Sequence, residues 1–300
     1  MKKAIVVFLI VSLFLLGIEG CPKEEEKEVI IPGLTMSFVE NAPPKEISVG
    51  QSVPIYVDIK NKGGIHIDVG KAKFYLIGIG PNLDNVQEKL SNKKFLDKGI
   101  GSERLKFATN AESNLDLDMP HMFPLTLISC YAYETLAEIE TCIADEESSV
   151  CSISGEKVTE KSNTLSPVQV TSLKEEVLGN KLIITFTIEN KGVDPKKIGE
   201  VYLKDTDCDI LQDRMHKKYL DEYLKRGNVN IEVKVEVGKG GDFVCDFHEG
   251  AVSLGTTGKA KVVCEKTLAG EDYMTVFTII LKYKYIDSIA TTITILPSKK

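Results

Sequence analysis

The strongest constraint on this chain is that part of it occurs twice. Ile55-Tyr56-Val57-Asp58-Ile59-Lys60-Asn61-Lys62-Gly63 matches Ile184-Thr185-Phe186-Thr187-Ile188-Glu189-Asn190-Lys191-Gly192 at an offset of 129, and Val69-Gly70 matches Ile198-Gly199 at the same offset. Each copy is a run of β-branched and aromatic residues, which suit a pleated, half-buried strand, closed by Asn-Lys-Gly, which suits a tight turn. A second strand is expected to follow near Lys73-Phe74-Tyr75-Leu76 and near Val201-Tyr202-Leu203. Further on, Tyr131-Ala132-Tyr133 matches Tyr283-Lys284-Tyr285, Ala137 matches Ile289 and Ile143 matches Ile295, now at an offset of 152. The second copy therefore holds 23 more residues in its middle.

A chain of 300 residues with 43% hydrophobic residues is long enough for two such cores. Alternating apolar positions with turn residues at regular spacing predict a mainly β protein of antiparallel sheets packed face to face. This pattern resembles the immunoglobulin-like modules of prokaryotic and archaeal cell-envelope lipoproteins, in which a strand ending in Asn-x-Gly precedes a later Tyr-x-Tyr strand. The resemblance implies two tandem Ig-like β-sandwiches, at 31–150 and 166–300, joined by a linker at 151–165. Two tyrosines at i and i+2 share one strand face, so each Tyr-x-Tyr pair is expected to fill an inter-sheet core.

The surplus in the second copy falls around Ile210 to Gly227. Ile210, Leu211, Met215, Tyr219, Leu220, Tyr223 and Leu224 recur there at helical steps, which predicts a short amphipathic helix inserted in the second sandwich. Gly227 is placed to end it. The first copy has a weaker helical candidate at Leu83–Leu90.

The first twenty residues have the layout of an export signal. Lys2 and Lys3 precede an apolar run from Ala4 to Leu16, shorter than the roughly 20 residues that span a bilayer. Residues 1–20 are thus expected to be a signal peptide, and the charged stretch 21–30 an acidic tether. Leu16-Gly17-Ile18-Glu19-Gly20-Cys21 resembles a lipobox, which implies lipidation of Cys21; ordinary cleavage or an uncleaved anchor is the alternative. Six cysteines remain: Cys130, Cys142, Cys151, Cys208, Cys245 and Cys264. In an exported chain they are expected to form up to three disulfides. The preferred local pairs are Cys130–Cys142, on a predicted hairpin, and Cys245–Cys264. Three cysteines in each half leave either a bridge between the halves, with Cys151 the favoured end, or one free thiol in each.

Catalytic motifs are not legible. A net charge of −7 disfavours nucleic acid. Cys245-Asp246-Phe247-His248 has a Cys-x-x-His spacing without the four ligands of a structural zinc site. Asp205-Thr206-Asp207-Cys208-Asp209 opens like a calcium loop, but Ile210 stands where Gly is required and His216 where the bidentate Glu belongs, which leaves only a low-affinity calcium site completed by other oxygens as an alternative. Asp116 and Asp118 read as an exposed strand face, and His66, His121 and His216 have no evident partners. No metal, no cofactor and no enzyme activity are expected. The sequence is best read as an exported, lipid-anchored protein on the outer face of the cell membrane. It would act there as a structural or binding module toward an envelope protein or glycan. The alternatives are a secreted enzyme or inhibitor with a loop-built site, or a subunit of a surface assembly.

Overall fold

The computed structural model describes residues 33–78, 86–110, 117–144, 148–194, 197–209, 228–235, 243–270 and 272–297. The signal peptide expected at 1–20, the tether expected at 21–30 with Cys21, and the helix expected at 210–227 with His216 all lie outside these residues.

Seventeen strands follow in order. In the first half they are β1 (Leu34–Phe38), β2 (Glu46–Ser48), β3 (Ser52–Asn61), β4 (Ala72–Ile77), β5 (Val86–Ser91), β6 (Ser102–Asn110) and β7 (His121–Ile143). The second half holds β8 (Val168–Leu178), β9 (Lys181–Asn190), β10 (Val193–Asp194), β11 (Lys197–Ile198), β12 (Glu200–Leu203) and β13 (Asn228–Val235). It ends with β14 (Val244–Cys245), β15 (Ala251–Ser253), β16 (Lys259–Thr267) and β17 (Tyr273–Leu296). The protein is mainly β, and no α-helix occurs among the described residues. The repeated segments are β3 and β9, and along both every second side chain is buried.

Each repeat builds a small sheet. In the first, β3 lies between β1 and β6; in the second, β9 lies between β8 and β16, with β14 beyond. Both small sheets share a core with one eight-stranded sheet, whose centre is the antiparallel pair β7 and β17. That pairing runs from His121↔Ile295 to Ile143↔Tyr273, with Tyr131 opposite Tyr285 and Tyr133 opposite Tyr283. The repeat is therefore locally two-fold about Ala132 and Lys284, which face one another.

Each copy's last strand finishes against the other copy. Thr294–Leu296 of β17 pairs with β2 in the first half. Near the end of β7, the Cys142 N–H donates to Glu175 of β8 and the Leu136 N–H to Thr164. Residues 31–300 consequently gather into one compact unit. The main core takes one face of these strands, with Leu127, Tyr131 and Ile139 of β7 and Phe277, Leu281 and Tyr285 of β17 on it. Phe186 of β9 meets Phe277 of β17 edge-on at 6.1 Å, both fully buried, each worth roughly 1.5–3 kcal/mol of burial. A smaller cluster of Tyr75, Ile128, Cys130, Tyr202, Cys208 and Ile286 is separate from this main core.

One helical expectation fails where it can be seen. Val86–Leu90, the C-terminal part of the Leu83–Leu90 candidate, belongs to strand β5, paired with β4 so that Lys89 faces Tyr75. A segment this short is marginal as an isolated helix, and the free edge of β4 offers it a hydrogen-bonded ladder instead.

Candidate functional site

All six described cysteines are oxidised, as Cys130–Cys208, Cys142–Cys151 and Cys245–Cys264. The three disulfides indicate an oxidising, extracellular-type environment. Cys245 and Cys264 sit directly opposite one another on β14 and β16, as the sequence suggested. The expected Cys130–Cys142 pair does not form. Both residues lie on β7, where twelve steps of about 3.3 Å hold them some 40 Å apart, far beyond disulfide reach. Cys142 turns instead to Cys151, and the bridge between the halves is Cys130–Cys208, not one through Cys151.

The remaining sequence candidates take structural places. Cys245 is committed to its disulfide, and His248 is an exposed neighbour of Glu249. Leu117 and Asp118 lie outside any strand, just before β7, so they form no strand face; Asp116 lies outside the described residues. No cluster of metal-ligating side chains occurs among the described residues. In the Asp205–Asp209 segment, Asp209 Oδ1 accepts hydrogen bonds from Lys73 Nζ at 2.9 Å, from Tyr75 Oη at 3.0 Å and from Lys89 Nζ. Burial raises the Asp209 pKa, but the hydrogen bonds from Lys89, Lys73 and Tyr75 outweigh it and bring the carboxyl down to about 2. With Cys208 bonded to Cys130, this group ties the segment to β4 and β5, and its carboxylate is occupied by ammonium groups rather than open to calcium.

The four tyrosines of the repeat are interior. Tyr131 Oη accepts the Leu34 N–H and Tyr283 Oη accepts the Val168 N–H, which fixes the first strand of each small sheet. Tyr133 Oη donates to Leu165 O at 3.0 Å. Burial lifts all four phenols, Tyr133 to about 12, so each stays a neutral hydrogen-bonding group.

The turns after β3 and before β6 make the surface that stands apart. Three buried polar side chains hold them. Asn61 Nδ2 donates to Ile65 O at 2.7 Å and Leu96 O at 3.1 Å, while its Oδ1 accepts the Gly63 N–H. Asn92 Nδ2 donates to Asp68 O and Lys94 O, and its Oδ1 accepts the Ala72 N–H. Both Glu103 oxygens accept the N–H of Lys93, and one also accepts that of Lys94. A bridge between Ile67 and Leu96 joins the turns. Buried polar groups so fully satisfied specify one backbone conformation.

This fixed backbone presents apolar side chains outward. Ile100 is 81% exposed, Val69 58% and Phe95 51%, with His66 stacked on the Phe95 ring at 5.1 Å. Around them Lys62, Lys71, Lys93, Lys94 and Lys98 are exposed, against Asp68 and Asp97. The sequence reading had not singled out this surface. Its signal was Lys93-Lys94-Phe95 and Ile100 inside a turn, where no core alternation places an apolar residue.

No protein-family model matches the chain, and a search of curated proteins finds no match.

Proposed function

We propose that this protein is an exported cell-envelope module, held to the outer face of the membrane through Cys21, that binds rather than catalyses. Its folded part is read as two immunoglobulin-like sandwiches in tandem, locked together by β7 and β17. The observation that carries the reading is the full pairing of six cysteines into three disulfides, which suits folding outside the reducing cytosol. The charged n-region, the short apolar run and Gly20-Cys21 add the anchor. The rigid turns bearing Phe95 and Ile100 are the binding element: a fixed scaffold displaying apolar groups is the usual form of a recognition loop.

Mass spectrometry of the native protein tests this directly. The expected N-terminal peptide begins at a lipid-modified Cys21, and the six other cysteines resist alkylation until reduced. A peptide that starts elsewhere without modification removes the anchor, and thiols alkylated before reduction remove the export.

A further inference from the structure

We infer that the turns 62–71 and 92–101 form a membrane-contact face that docks on anionic lipid headgroups. The inference rests on the anchored reading above for its geometry and on the surface itself for its chemistry. The two turns carry five lysines and two aspartates, and with the Glu103 carboxylate bonded to their backbone they keep a local excess of two positive charges in a chain whose net charge is −7. Exposed lysines around protruding Phe95, Ile100 and Val69 match a lipid surface: ammonium groups at the phosphates, apolar tips below them.

The second repeat shows that the fold does not need these side chains. The Asn61 N–H donates to Gly101 O, and in the second copy the Asn190 N–H donates to Gly258 O. The buried Leu96 and Leu254 begin the two turns, at 0% and 1% exposure. Counted from these fixed points, the residue before the leucine is Phe95 in the first copy and Ser253 in the second, and the residue before the glycine is Ile100 and Thr257, the second turn being one residue shorter. A turn one residue shorter closes there with Ser and Thr, and Phe95 and Ile100 are themselves 51% and 81% exposed, so they answer to something other than packing.

Chain connectivity brings this face to the membrane. The Lys62 N–H donates to Gly33 O, so the folded part begins beside the turns. Eleven residues, 22–32, separate Cys21 from Gly33. Whatever their conformation, eleven residues reach no farther than about 40 Å, less than many domain diameters. An anchor at Cys21 therefore holds this end of the protein, rather than its far end, within reach of headgroups.

The chain has no tryptophan, so Phe95→Trp installs a single reporter at the face. The assay uses the exported protein carrying Cys21→Ser, which removes any lipid, with phosphatidylcholine vesicles alone or mixed with phosphatidylglycerol. The expected result is a blue shift of tryptophan emission on the anionic vesicles only, reversed at high salt as the screening length falls to ~3 Å at 1 M. Ser253→Trp, at the corresponding place in the second repeat, is expected not to shift. Lys93→Glu, Lys94→Glu and Lys98→Glu together should weaken partitioning at least about ten-fold. Unchanged Phe95→Trp emission on anionic vesicles in a folded protein overturns the inference, whatever the native N-terminus carries. Equal shifts at positions 95 and 253, or equal shifts on neutral vesicles, overturn it too. The anchor is judged separately, by the mass of the N-terminal peptide.

Discussion

Gly192→Ala tests the packing that joins the repeat motif to the central strands. An ideal Cβ at Gly192 would stand 1.6 Å from Tyr285 Oη and 2.9 Å from its Cζ. A normal contact is about 3.5 Å, so the hydroxyl would have to retreat by about 2 Å. The ring has little room, being 2% exposed and set edge-on against Tyr131 at 5.9 Å and Tyr283 at 6.5 Å. Overpacking of this kind costs about 1–3 kcal/mol, offset by about 0.4–1 kcal/mol from the stiffer unfolded chain, for a net loss near 1–2 kcal/mol. Tyr285→Phe removes the atom in closest conflict and leaves the ring carbon at 2.9 Å, which needs only about half an ångström of adjustment. The double variant should thus lose less stability than the two single variants added together, by about 1 kcal/mol. Urea denaturation with an unchanged m-value measures all four corners of the cycle. Additive losses within about 0.5 kcal/mol, or a neutral Gly192→Ala, would refute the close approach.

The disulfides should rank by the chain they close. Sequence separations of 78, 19 and 9 for Cys130–Cys208, Cys245–Cys264 and Cys142–Cys151 give about 4.5, 3 and 2.5 kcal/mol of unfolded-state constraint. Paired Cys→Ala variants in thermal melts check the order, and Cys142–Cys151 as the costliest loss would contradict it. Asp209, lowered from an ordinary 3.8 to about 2, contributes stability that is present above pH ~4 and lost as pH falls through ~2. Asp209→Asn should accordingly be less stable than the parent at pH 6 and converge with it in acid; parallel curves through that window would exclude the contribution. A 166–300 fragment keeps β17 but lacks β7, its partner over all 23 residues of that strand. It should fail to unfold cooperatively as a monomer in a calorimetric scan, and a sharp monomeric transition would show that the second half holds its own core.

Much of the architecture was legible because two segments of sequence repeat. Ile55–Gly63 and Ile184–Gly192 announced a strand and its turn, and the structure adds why Asn and Gly recur. Asn61 and Asn190 each accept from the glycine two residues on, and a side chain on Gly63 or Gly192 would collide with Tyr133 or Tyr285. The Tyr-x-Tyr pairs were legible as core by face and spacing. The rest depends on partners distant in sequence. Cys130 and Cys142 read as a hairpin because a strand of 23 residues is far longer than the usual five or six, so a turn was expected between them. Lys89 reads as helical by neighbourhood and becomes strand because β4 offers an edge.

A repeat also leaves a more basic choice open. Matching 131–133 to 283–285 says the two last strands are equivalent, and equivalence alone is satisfied whether each strand completes its own copy or crosses to the other. The register decides, and burial alternation fixes which face each residue takes but is unchanged by a slip of two residues. With Ala132 facing Lys284, every residue after the axis on one strand lies opposite a residue before it on the other. Strands of 23 and 24 residues must therefore overrun their own copies at both ends. That overrun places Thr294–Leu296 beside β2 and Cys142 beside Glu175. The length of the two strands, rather than their composition, makes one folded unit from two repeats.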